Sequence, residues 1–153
     1  MASLEPNLRA SLDRDATVFC IFAGKELATL VCCADNFRGK RIIDPRPFSI
    51  DFNNREIVTG RAITIPKYRR LNLRKYSGYL LRQYYYSKGV RWIKGTMRAN
   101  NFAAIATTVP NHYVTSRCKV VRVFGMFLKL KETKIEPTPL RQIYEQLYGH
   151  GKK

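Results

Sequence analysis

Thr17-Val-Phe-Cys-Ile-Phe-Ala23 runs into Gly24-Lys25 and then into Leu27-Ala-Thr-Leu-Val-Cys-Cys-Ala34. Both flanks are rich in β-branched, aromatic and small apolar residues, and a glycine marks the turn between them. Neither flank alternates strictly between polar and apolar, so the stretch predicts a β-hairpin buried largely on both faces. Outward from it, Asn36 to Lys40 contains Gly39 and reads as a loop. Pro45 and Pro47 keep the next segment extended, and Asn53-Asn54 suits a turn before a strand from Glu56 to Ile65.

Pro66 ends that strand, and the proline-free stretch from Lys67 to Ser87 places Leu73, Tyr76, Leu80 and Tyr84 at steps of three and four. A basic helix is predicted there, closed by Lys88 and Gly89, with Gly78 its weak point at about 1 kcal/mol against alanine. Val90 to Lys94 suggests a short strand. Asn100 to Pro110 has no clear period. Lys119 to Lys131 is the strongest strand outside the hairpin, with Gly125 as a bulge or bend. Leu140, Ile143, Tyr144 and Leu147 repeat as on a helix, with Thr138 as its cap and Pro139 at its first position. Leu4, Leu8 and Leu12 suggest a short N-terminal helix. The fold class expected is α+β: a small β-rich sheet or barrel, made from the N-terminal hairpin and a C-terminal strand, with a basic central helix and a short C-terminal helix. One domain is expected over residues 1–153, with an extension (1–16), a neutral β-rich part (17–65), a basic part (66–131) and a linker, helix and tail (132–153).

Charge is distributed unevenly. The chain has 153 residues and a net charge of +17. Residues 1–56 carry eight basic and eight acidic side chains, whereas Ile57 to Lys131 carries sixteen basic residues and neither Asp nor Glu. A folded segment of this kind repels itself and attracts polyanions, of which nucleic acid is the commonest. Lys67, Arg69, Arg70, Arg74 and Lys75 form the densest cluster; Arg61, Arg82, Lys88, Arg91, Lys94 and Arg98 extend it. Among the interleaved rings, Tyr76, Tyr79 and Trp92 are expected in the core, while Tyr85 and Tyr86 are candidates for stacking on bases.

Signals for chemistry are thin. His112 and His150 have no metal-ligand spacing, His112 with Cys118 makes a poor nucleophile pair, and neither a P-loop nor a G-x-G-x-x-G occurs. No catalytic residue, metal or cofactor is expected. Cys20, Cys32, Cys33 and Cys118 contain no C-x-x-C pair and suggest thiols in a reducing compartment, although their even number leaves disulfides open. No stretch has the apolar length of a membrane span. In size, charge and tails the chain resembles ribosomal and organellar ribosomal proteins as a class. That resemblance implies a non-enzymatic structural component of a ribonucleoprotein, in cytoplasm or mitochondrial matrix. Its partners would be structured RNA and neighbouring proteins, with no small-molecule substrate. A viral capsid or nucleocapsid protein, or an accessory subunit of a membrane-bound complex held by acidic partners, are the alternatives.

Overall fold

A computed structural model describes residues 15–102, 104, 105, 112–123 and 126–148. The chain divides into two compact units, one formed by residues 1–45 and 49–96, the other by residues 46–48 and 97–153.

The first unit is a four-stranded sheet in the order β1-β2-β3-β4. The expected hairpin is there: β1 (Thr17–Ala23) pairs antiparallel with β2 (Glu26–Ala34), and the turn needs Gly24, whose φ is 62°. β3 (Glu56–Thr64) lies antiparallel to β2, and β4 (Trp92–Lys94) joins β3 in parallel through three residue pairs, Glu56 with Trp92 to Val58 with Lys94. Opposite Val31 the register slips, so that β3 carries one extra residue against β2, and Arg61 sits in the slip at φ 43°. The sheet is open among the described residues, so the barrel alternative falls away. The long C-terminal strand does not complete this sheet; β3 and β4 do.

Two helices pack here. The segment expected as a loop at Asn36 to Lys40 instead begins α1 (Phe37–Ile43), because the Asn36 side chain accepts the Gly39 N–H at 2.8 Å and caps the first turn. α2 (Leu73–Ser87) crosses from β3 to β4. It starts six residues later than the proline-free stretch suggested, since Arg70 (φ 67°) and Asn72 (φ 57°) are left-handed and helix cannot pass through them. Its end is as expected. Lys88 is the C-cap, Gly89 has φ 74°, and the N–H groups of Gly89 and Val90 donate to Tyr86 O and Tyr85 O at 2.9 and 3.0 Å.

The buried face of α2 is Ser77, Leu81 and Tyr85, one residue out of phase with the predicted Leu73, Tyr76, Leu80, Tyr84 stripe. Ser77, fully buried, lets the helix come close to the sheet, and Leu81 and Tyr85 then pack on Val31, Cys33 and Ile57, with Phe19, Val90 and Ile93 at the margin. Tyr76, Tyr79 and Trp92, expected in the core, are exposed as a result.

In the second unit, the predicted single strand over Lys119 to Lys131 is part of a two-stranded ribbon, β5 (Tyr113–Val123) antiparallel to β6 (Met126–Pro139). Gly125, expected as a bulge, lies outside the described residues, as does the predicted helix around Leu4, Leu8 and Leu12. The C-terminal helix is present as α3 (Leu140–Tyr148). Thr138 does not cap it: the hydroxyl donates to Glu136 O at 2.8 Å, and both Thr138 and Pro139 belong to β6. None of the four cysteines is in a disulfide, Cys32 and Cys33 being buried thiols, so the disulfide alternative falls away. No described helix is long and apolar enough to cross a membrane.

Candidate anion-binding site

The cationic cluster singled out in the sequence converges on the connection between β3 and α2. Ile65 donates its N–H to Ala28 O at 3.0 Å, and Pro66–Tyr68 forms one 3-10 turn closed by Tyr68 N–H to Ile65 O at 2.9 Å and Arg69 N–H to Pro66 O at 3.1 Å. Glu26, at the start of β2, clamps this turn: its carboxylate accepts hydrogen bonds from the Lys67 ammonium and, at 2.9 Å, from the Tyr68 hydroxyl. The Lys67 bond first, then the Tyr68 bond, holds the Glu26 carboxyl below its ordinary pKa, and Glu26 in turn raises that of Lys67. Arg69 Nε donates to Thr64 O at 3.3 Å.

Arg70, Leu71 and Asn72 then carry the chain into α2, with Arg70 and Asn72 left-handed and the Asn72 side chain making no cap. The first N–H groups of a helix have no acceptor within it, and the macrodipole places partial positive charge beside them. Arg74 and Lys75 lie in this first turn. Arg74 is half-buried, and burial lowers its pKa below the usual guanidinium value; Arg82, about two turns further along α2 with its guanidinium also beside Gly78, adds to the shift. Among the described residues Arg74 has no ion pair. The end of β3 and the start of α2 together form a strand, a tight basic loop and an uncapped helix N-terminus, the arrangement that binds phosphate groups.

Other expected site residues lie elsewhere. Lys94 is committed to the buried Glu56 at 2.6 Å, and Glu56 also accepts the Asp51 N–H at 2.7 Å. Lys88 Nζ donates to the Tyr84 hydroxyl at 2.6 Å and lies over that ring. Lys88, Tyr86 and Arg91 are at the C-terminal end of α2, about 20 Å along the helix from the loop. Arg61 sits in the β3 register slip, and Arg98 belongs to the second unit. Tyr85 cannot stack on a base: it is 2% exposed, whereas Tyr86 is 82% exposed. Sequence reasoning passed over Asn72 and Glu26. Asn72 had a readable signal, as asparagine is a residue favoured where helices start and where φ is positive. Glu26 had none, because its partners are some forty positions away in the chain.

No family model and no curated protein matches the chain. Among solved structures, it is similar to the RimL ribosomal L7/L12 alpha-N-protein acetyltransferase in its apo form, with a TM-score of 0.52 over 88% of this chain and 68% of that one, at 17% identity. The likeness is one of fold. It overturns the expectation of a non-enzymatic, structural RNA-binding component of a ribosome, and with it the capsid and accessory-subunit alternatives, since the plan is shared with an enzyme. The expectation of RNA as partner and of no small-molecule substrate is corrected on the same finding. The physical reason is that a cationic excess attracts anions of many kinds, and composition does not distinguish a polynucleotide from a small phosphorylated ligand.

Proposed function

We propose that the first unit binds an acyl-coenzyme A thioester and that the chain transfers the acyl group to a primary amine of a polypeptide. The carrying observation is the β3–α2 connection: a basic loop with two left-handed residues opening onto an uncapped helix N-terminus, in a fold shared with an acetyltransferase. Coenzyme A fits this site in its chemistry, since its diphosphate matches helix N–H donors and unpaired guanidinium groups. When bound, the thioester supplies an acyl carbon open to attack by an amine, with a thiol as leaving group.

The chain's own residues act by holding. The amides at the start of α2, with Arg70 and Arg74, grip phosphate; Glu26 fixes the Lys67 turn so that the loop needs no reordering on binding. Pairing of β4 with β3 stops at Val58 and Lys94 while β3 runs on to Thr64, so the last six residues of β3 lie beyond that ladder. An extended, amide-bearing arm suits such a place.

The test is calorimetric titration of the full chain with coenzyme A and acetyl-coenzyme A, beside Arg70→Ala and Arg74→Ala, with mass spectrometry of an amine-bearing peptide to detect acetylation. The expected result is binding that each substitution weakens by about ten-fold, the equivalent of about 1.4 kcal/mol. Absence of binding, or affinity indifferent to both substitutions, overturns the reading.

A further inference from the structure

The β5–β6 ribbon has two unlike faces. Residues directly opposite each other share a face, so Arg117 with Thr133, Lys119 with Lys131 and Val121 with Lys129 lie together, while Ser116 with Lys134, Cys118 with Glu132 and Val120 with Leu130 lie on the other. Of the residues on the first face whose side chains are described, three are cationic, Arg117, Lys119 and Lys131, and none is a carboxylate. Arg117, Lys119, Val121, Lys131 and Thr133 are all exposed on it. Lys119 and Lys131 stand directly across from each other, and like charges so placed destabilise a ribbon. A ribbon that keeps them there has a use for an anion at that spot.

We propose that this face is a docking surface for an acidic, extended stretch of polypeptide, namely the chain that carries the acceptor amine; that last identification rests on the acyl-transfer reading. Two observations select a peptide. Same-side residues of a strand repeat every roughly 6.7 Å, which is also the repeat of alternate side chains in an extended peptide, so Asp or Glu at every second position meets Arg117 and Lys119 in turn. From Arg117 to Val121 and from Lys129 to Thr133 this face offers no aromatic ring on which a base would stack.

The decisive variant is Lys131→Glu, which converts the like-charge opposition with Lys119 into an opposite-charge pair. Anisotropy titrations on the full chain would use a labelled peptide of alternating Glu and Ser, its Lys-for-Glu counterpart and a single-stranded RNA of equal charge, with coenzyme A affinity measured alongside. The expected result is binding of the Glu peptide that weakens at least ten-fold in Lys131→Glu, while thermal stability rises and coenzyme A affinity stays unchanged. Lys119→Arg with Lys131→Arg should retain the peptide. Peptide affinity untouched by Lys131→Glu, or tighter binding of the RNA lost through the same substitution, overturns the docking surface. Loss of coenzyme A binding with peptide binding intact would instead refute the acyl-transfer reading alone.

Discussion

Arg70 spends backbone energy to stand where it does. A non-glycine residue in the left-handed region costs on the order of 1 kcal/mol, and strain of this kind persists where the surroundings or the task require it. Arg70→Gly separates the two: chemical denaturation should show a gain of up to ~1 kcal/mol, while coenzyme A affinity falls about as far as in Arg70→Ala. The buried side of the same unit has its own titration. Burial pushes both the Cys33 thiol and the Tyr85 hydroxyl up to about 12. Both groups bind their protons more tightly folded than unfolded, so their contribution is whole below pH ~9 and is lost as pH climbs from there toward 12. Alkaline unfolding followed by circular dichroism should therefore shift to higher pH in Cys33→Ala with Tyr85→Phe, measured relative to each protein's stability at pH 7. At this scale the sequence revealed which side chains were cationic but not which were already paired. Lys67 and Lys94 meet Glu26 and Glu56 from outside the carboxylate-free stretch, a pairing that no local pattern announces.

The helices and strands were legible where their signals were local. The hairpin at Gly24, the strand to Thr64 and the Gly89 helix end each depend on residues within one turn of the feature. α2 was visible as a helix yet differs in phase from the expected stripe, because its most fully buried residue is Ser77, which hydrophobic periodicity ignores. Likewise Lys119 to Lys131 read as one strand because its alternation of apolar and cationic residues continues on both sides of Phe124 and Gly125 without a proline or asparagine. Two glycines give opposite predictions. A methyl group at Gly78, in mid-helix, would meet only arginine tips at 3.5 Å or beyond, so Gly78→Ala should stabilise by up to ~1 kcal/mol. A methyl at Gly39 would stand 2.6 Å from both the Ala34 Cβ and the Asp15 carbonyl oxygen, and Gly39→Ala should cost about 1–3 kcal/mol. Thermal melts of the two variants check both signs.

Across the molecule, the neutral first third supplies β1, β2 and the carboxylates that anchor the basic stretch, while the basic stretch supplies nearly all of β3, the loop and α2. The α+β class followed from that division. The parallel β3–β4 ladder of three residue pairs did not, since it joins segments on either side of α2 that no local pattern connects. If the loop grips phosphate, coenzyme A affinity should fall with added salt, and less steeply in Arg70→Ala; a flat salt profile in both proteins would count against it. That short ladder also sets an order of events. β1 meets β2 across a two-residue turn, but β4 reaches β3 only once the whole of α2 has formed and folded back, so the chain must close its longest loop for its smallest reward. Pulse-labelled amides at Ile93 should then be the last of the sheet to gain protection during refolding and the first to lose it at equilibrium, making the β4 edge the part of the sheet that breathes.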